Sequence, residues 1–439
     1  MPLLSNERYQ ANLDSIPTGR YKGKVTRVVG LTIECKGLYV GLGELCRIHS
    51  GKLDQTMLAE TIGFRDGTTI LMPIEETFDL APGSVVEPLR KKLSISCSNA
   101  LLGRVVDALG KPLDGGPDLP RGVMTPVFRP SPNPLDRENI DEALVSGISA
   151  IDGVLSMGNG QRLGIFAGSG VGKSTLMGTI ARESSADINV IALIGERGRE
   201  VKEFIDKVLG PEGLARSVVV VATSDAPPIL RMKGAFTATS IAEFFRDQGK
   251  NVMLMMDSIT RLANATREIG LAAGEPPTVK GYPPSFFSTM PKIVERMGRL
   301  RHGSITGLLT VLVDADDMNE PVADTMRGLL DGHIVLSRKI ASRGQYPAID
   351  VLESVSRVMD AVVPESHVKA ARDFRETLAT YEESRDLITV GAYRAGSDPK
   401  VDAAIAKYPK ILELLKQTGG ESRSMEETRL RLQEIASSQ

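Results

Sequence analysis

The chain has 439 residues, 41% hydrophobic and 25% charged, enough apolar side chain for roughly two to four ordinary domains. Lysine and arginine total 53 against 55 aspartate and glutamate, a formal charge of −2 that makes no electrostatic case for nucleic acid or a membrane surface as the main partner. Aromatic residues are 4% and tryptophan is absent, so a base-stacking platform is poorly supplied. Cys35, Cys46 and Cys97 form no CxxC pair and His49, His302, His333 and His367 are scattered, which argues against a disulfide framework and a zinc site. The first residues are polar, and no run approaches the ~20 apolar residues of a membrane helix. A soluble, intracellular chain is expected.

Residues 21–90 read as short β-branched strands separated by Gly, Asp and Pro, with Asp66-Gly67 as a hairpin turn, the pattern of a small barrel or sandwich. The Pro-rich passage at 110–136 has no useful periodicity and reads as an extended connector. After it, apolar strands (RLGIFAG, INVIALIG, SVVVVAT, NVMLMMD) alternate with helices starting at Lys173, at Arg199 and near Thr237, as in a parallel sheet buried on both faces. GSITGLLTVLVD and HIVLSR add two more strands. Beyond residue 363 the strand signal ends. Residues 367–383 and 399–417 have helical spacing, and 421–437 is a polar helix candidate.

The sharpest local signal is Ala167-Gly-Ser-Gly-Val-Gly-Lys-Ser174, between an apolar strand and a helix. Gly168, Gly170 and Gly172 let backbone N–H groups turn inward around a phosphate, with Ser169, Val171 and Thr175 completing the loop. Lys173 is placed to reach the β- and γ-phosphates and the Ser174 hydroxyl to ligate Mg²⁺. Ala167 departs mildly from the usual glycine. Asp257 ends the strand NVMLMMD, where it serves either as the magnesium carboxylate or as the cap of the next helix. Glu196, in GERGRE, faces the ligand crevice of a parallel sheet and could polarise water, or could belong to a solvated turn.

Over residues 21–417 the text resembles the ATPases of type III protein export, relatives of the rotary ATP synthase subunits. The matching runs are LLGRVVDALGKPLDGG, SGISAIDGVLSMGNGQR, IFAGSGVGKSTLMG, VIALIGERGREVKEFI, VVVVATSDAPP, LMMDSITR, GEPPTVKGYPPSFFS, DGHIVLSRKI and PAIDVLESVS. The resemblance implies an α/β fold: a RecA-like P-loop domain with a parallel sheet (91–363), preceded by a tail (1–20) and a small β-barrel (21–90) and followed by a C-terminal helical domain (364–439). It also implies a homohexameric ring with MgATP between neighbours. Glu196 then falls at the catalytic carboxylate, Arg197 beside it near the γ-phosphate, and Asp257 at the Walker B position. Arg357 falls at the arginine finger supplied to the adjacent site, and Tyr346 at the aromatic that packs on adenine. Structural alternatives stand beside these roles: Arg197 pairing with Glu200, Tyr346 as core, Arg357 as a surface arginine. Arg261 is a site residue or helix surface.

In the synthases, the catalytic carboxylate and the finger belong to different subunit types. One chain here carries both Glu196 and Arg357, which favours a ring of identical subunits. The expected role is energising or initiating type III export in the cytoplasm, with the ring held peripherally at the inner-membrane apparatus. Expected partners are a stator-like regulator, a central stalk protein, export-gate membrane proteins and chaperone–substrate complexes. Residues 385–405 and NPLDRENIDEAL look flagellar; an injectisome ATPase is the alternative. A Rho-like nucleic-acid motor is more distant, since residues 21–90 show no aromatic-basic motif, and no nucleic acid is expected. Residues 266–287 resemble the loop facing the ring centre, where Gly-Tyr-Pro-Pro either grips substrate or forms a rigid turn. Glu382 and Glu383 lie where relatives touch a stalk. Only about twenty residues precede the barrel, which leaves the regulator's docking site undefined.

Overall fold

A computed structural model describes residues 21–49, 55–75, 80–313, 317–417, 421 and 423–437; the expected N-terminal tail, 1–20, lies outside the described residues. The chain divides into two compact units, 1–93 with 271–275, and 94–270 with 276–439.

In the first unit, six strands close a barrel: β1 (Gly23–Val29), β2 (Thr32–Lys36), β3 (Glu44–His49), β4 (Thr56–Arg65), β5 (Thr68–Pro73) and β6 (Val85–Lys92), in the order β1-β2-β5-β4-β3-β6. Closure removes the exposed edges that a sandwich would leave. Asp66 (φ 48°) and Gly67 (φ 70°) form the two-residue turn between Arg65 and Thr68, a left-handed pair suited to the twist of the flanking strands. The interior is filled by Val25, Ile33, Cys35, Cys46, Ile48, Leu71 and Val86. Burial pushes the Cys35 thiol up to about 12 and the Cys46 thiol up to about 11, so both behave as small core hydrophobes.

The second unit is built on a nine-stranded sheet. Its strands are β7 (Val105–Asp107), β8 (Arg162–Ala167), β9 (Ile188–Ile194), β10 (Ser217–Ala222), β11 (Asn251–Asp257), β12 (Gly298–Leu300), β13 (Gly303–Leu312), β14 (Gly332–Leu336) and β15 (Ile349–Ser356). They run in the order β15-β14-β8-β13-β11-β9-β10-β7, with β12 pairing β13. All neighbours are parallel except β15 with β14 and β12 with β13. Every residue of β9 and β10 is buried, as continuous apolar strands covered on both faces require.

Part of the Pro-rich passage is more ordered than a connector. Val123–Pro126 pairs antiparallel with Ser94–Cys97, and Val106 bridges Pro112. Partner strands distant in sequence impose that register, which no local periodicity announces.

The helices include α1 (Lys173–Glu183) after β8, α2 (Pro228–Arg246), and a C-terminal group of α3 (Glu365–Thr389), α4 (Pro399–Leu415) and α5 (Met425–Ser437). The helix expected from Arg199 begins at Gly198 and changes to π winding over Phe204–Leu209. Phe374, Leu378, Ile411, Leu414 and Leu432 join Ile151, Ile180 and Ile334 in one apolar core, so the C-terminal helices share their core with the sheet. Among the described residues, no helix is long and apolar enough to cross a membrane.

Candidate active site

The turn from β8 to α1 is held by glycines for two different reasons. Gly170 (φ 79°) and Gly172 (φ 90°) are left-handed, a conformation that side chains oppose. A Cβ on Gly168 would instead lie 2.5 Å from the Arg338 guanidinium, so that position is glycine for space. Ser169, Gly170, Ser174 and Thr175 are exposed and Gly168 and Val171 are buried, leaving an accessible loop at the N-terminus of α1, where backbone N–H groups and the helix dipole favour an anion.

Beside the loop lies a cavity of about 450 Å³ whose wall includes Ser174, Thr175, Glu196, Glu200 and Asp257. Lys173 Nζ is ion-paired with Asp257 Oδ1, and Thr310 Oγ1 donates to the same oxygen at 2.8 Å. A carboxylate only 5% exposed needs such partners to offset its lost hydration. Thr310 was not foreseen; its signal is a lone hydroxyl among the last five, otherwise apolar, residues of β13, beside the strand that ends in Asp257. Glu196 is half-buried. Its carboxyl is pushed up to about 7, first by burial and then by the negative Asp257, while Lys173 and Arg261 pull the other way and a hydrogen bond with Glu200 adds to the rise. Arg261 sits against Gly195, where a Cβ would meet its side chain at 2.7 Å, so it belongs to the site rather than to a remote helix surface. Among the described residues no three His, Cys, Asp or Glu side chains cluster as a metal cage. One carboxylate and one hydroxyl, both hard oxygen donors, are the set that Mg²⁺ takes when a phosphate ligand and waters complete its shell.

On the other side of α1, a cavity of about 570 Å³ is lined by Val171, Gly172, Thr175, Leu336, Tyr346 and Gln417, among others. Tyr346 is 49% exposed, with its ring 3.6 Å from where a Cβ of Gly172 would stand. Its carbonyl accepts the Gln417 N–H at 2.9 Å. The buried Gln417 amide accepts from Ser149 N at 2.9 Å and donates to Gly147 O at 2.7 Å. Asp152 in turn accepts from Ser146 N, Ser146 Oγ and Gly147 N. The C-terminal region thus fixes the backbone of the aromatic residue.

Arg357 is not in this group. Its N–H donates to Asp331 O, and Asp331 N donates to Arg162 O, at the start of β8. The P-loop leaves the other end of that six-residue strand, roughly 20 Å away at about 3.3 Å per residue. Arg357 lines a third cavity, of about 580 Å³, with Arg137, Arg162 and Arg299. Those three pair with Glu295, Asp331 and Asp141, whereas among the described residues no carboxylate pairs with Arg357, whose guanidinium donates to Arg327 O at 3.5 Å.

Three further candidates sit in packed or paired settings. Arg197 pairs with Glu200 at 3.1 Å and is 75% exposed, outside the wall of the Glu196 cavity. Residues 266–287 are not one loop: Ile259–Ala273 and Pro284–Val294 are helices, and Tyr282 is buried against Phe286, which supports the rigid-turn reading. Glu382 is held by Arg343 at 3.3 Å and Arg385 at 2.5 Å, which leaves the exposed Glu383 as the free carboxylate of that pair.

The ATP synthase alpha/beta family nucleotide-binding domain matches residues 147–356, its β-barrel domain residues 25–90, and the T3SS EscN ATPase C-terminal domain residues 363–434. The chain is 54% identical to the flagellum-specific ATP synthase of Bacillus subtilis, over 95% of this chain and 97% of that one. It is 48% identical to the type 3 secretion system ATPase of Xanthomonas euvesicatoria, over 97% and 96%. The assembled ATPase EscN of enteropathogenic E. coli superposes with a TM-score of 0.88 at 42% identity, over 94% of this chain and all of that one. P-loop, acidic strand ends and near-complete coverage agree: this chain belongs to the flagellar and type III secretion ATPases of the ATP synthase alpha/beta family.

Proposed function

We propose that the protein hydrolyses ATP as a ring of identical subunits, a homohexamer in the family pattern, and energises or initiates type III protein export. The observation that carries this is the placement of Arg357: unpaired, exposed, and at the opposite edge of β8 from the P-loop of its own chain. A head-to-tail ring brings that edge to a neighbour's loop. At the seam, the P-loop N–H groups and Lys173 hold the β- and γ-phosphates, and Tyr346 packs on the base. Ser174 and Asp257, the latter through water, would hold Mg²⁺, which when bound would neutralise charge on the phosphates. Glu196 orients and polarises the attacking water. The neighbour's Arg357 and this chain's Arg261 stabilise charge on the transferring phosphoryl. Arg197, tied to Glu200, would need to break that pair to reach the phosphate.

The flagellar reading is supported by the local text of 385–405 and by relatives named flagellum-specific in several bacteria. The injectisome reading is favoured by the type 3 secretion relatives and by EscN. Gene deletion separates them: loss of filaments supports the first, loss of effector secretion the second. A structure of EscN with its central stalk EscO supports a stalk partner here. Regulator, gate and chaperone–substrate contacts, and peripheral membrane attachment, belong to the same proposal.

Specific ATPase activity is expected to fall steeply on dilution through the assembly concentration, because a lone subunit lacks the finger. A constant specific rate in a fully dissociated sample would remove the shared site. A pH profile tests Glu196. The working form is the carboxylate and its value is raised, so kcat/KM should fall about tenfold per unit below pH 7 and level off above it. A profile flat from pH 5.5 to 8 would exclude Glu196 as the titrating group.

A further inference from the structure

Resting on the shared-seam reading above, we infer that Arg162 and Asp331 are positioning residues for Arg357: they serve the neighbour's site although they stand at the root of their own P-loop strand.

Asp331 has two jobs in the structure. Its carboxylate is clamped by Arg162, with Nε to Oδ2 at 2.9 Å, Nη2 to Oδ1 at 3.0 Å, and the Arg162 backbone N–H to Oδ2 at 3.0 Å. Its carbonyl meanwhile accepts the Arg357 N–H at 3.0 Å and Gln161 Nε2 at 3.3 Å. The same Gln161 amide donates to Ser356 Oγ at 3.1 Å, and Ser356 Oγ donates to Ser156 O at 2.9 Å. The bonding partner and the preceding residue of Arg357 are therefore both anchored at the root of β8, Asp331 to Arg162, the first residue of the strand, and Ser356 to Gln161, just before it. Gly332 keeps the junction tight, since a Cβ there would stand 2.4 Å from Val355 O.

The remaining nitrogen of Arg162, Nη1, donates to Glu295 Oε1 at 2.9 Å, so its guanidinium is fully engaged inside the chain. Arg357 is the contrast: the backbone is fixed, and the exposed side chain makes one long hydrogen bond, to Arg327 O, and among the described residues pairs with no carboxylate. A long side chain on an anchored Cα is the arrangement by which an arginine reaches across a seam with little positional error. The Arg162–Asp331 pair is bidentate and only about a fifth exposed on both sides, so breaking it also costs stability, and the pattern of rescue in mixed rings is what separates a positioning role from a folding defect.

The test is Asp331→Asn, which keeps size and removes the charge that holds Arg162. Assembled rings should lose about 10–100-fold in kcat, with KM for ATP within about twofold, because displacement of a catalytic group by about 1 Å costs that order. Mixed rings assign the lesion. Asp331→Asn with Lys173→Ala should regain turnover, since the second copy lends an intact Arg357; Asp331→Asn with Arg357→Ala should not. Unchanged kcat, or the reverse pattern of rescue, overturns the inference by placing the lesion nowhere or in the copy's own site. If Asp331→Asn does not assemble, Arg162→Lys, which keeps charge and loses the bidentate clamp, must show the same polarity or the inference fails. Lys173→Ala mixed with Arg357→Ala is the control. Rescue there without the Asp331 pattern removes only this inference; no rescue in proven hybrids removes the shared seam and this inference with it.

Discussion

Arg357→Ala rings are expected to assemble and bind ATP with near-normal KM while kcat falls about 10³–10⁵-fold, the range over which an arginine finger acts on phosphoryl transfer. The side chain is exposed and forms one long hydrogen bond to a carbonyl, so its removal leaves no buried group unpaired and stability should barely change. Arg137 and Arg299 in the same cavity have carboxylate partners, and truncating them should lower stability or assembly instead. Mixing Arg357→Ala with Lys173→Ala copies in equal amounts should restore up to about a quarter of wild-type turnover, because a seam works only when the intact P-loop and the intact arginine come from the two different variants. A purified Arg357→Ala ring with wild-type kcat would show that no guanidinium crosses the seam.

Glu196→Gln should keep nucleotide affinity while turnover collapses by about 10²–10⁴-fold, the usual contribution of a positioned base. Glutamine preserves shape and hydrogen bonding to Glu200 but cannot become an anion. It therefore mimics the protonated carboxyl that the wild type holds below about pH 7. The variant's residual rate should accordingly lose the acid limb of the pH profile. Retention of that limb would assign it to another group. Removing one of two adjacent carboxylates should also relieve repulsion at Asp257, so Mg²⁺-free nucleotide should bind no more weakly to the variant than to the wild type, as equilibrium titration with a fluorescent analogue would show.

Much of the site was legible because its parts are local. The P-loop is one contiguous run whose glycines, lysine and serine mean the same thing in any strand–loop–helix setting. Asp257 ends one apolar strand and Glu196 lies two residues past the end of another, and the ends of parallel strands converge on one edge. Their neighbourhood was not legible. Thr310 reaches Asp257 across 53 residues of sequence, Asp331 reaches Arg162 across 169, and Gln417 reaches Ser149 across 268. None has a neighbour in sequence that hints at its partner. The Gly-Tyr-Pro-Pro turn and Glu382 were left open between alternatives for the same reason: exposure belongs to the packed state, where Tyr282 packs on Phe286 and Glu382 pairs with Arg343.

By itself the sequence determined most element types, the candidate phosphate loop and the two candidate carboxylates at or just past strand ends, because hydrophobic period, glycine spacing and strand-terminal position are properties of short stretches. Only the tertiary structure decided that the barrel closes, that the C-terminal helices share the core of the sheet and hold Tyr346 through Gln417, and that Arg357 lies at the far end of its own P-loop strand. Strand order and long-range hydrogen bonds set those outcomes, and both depend on which distant segments bury their apolar faces together.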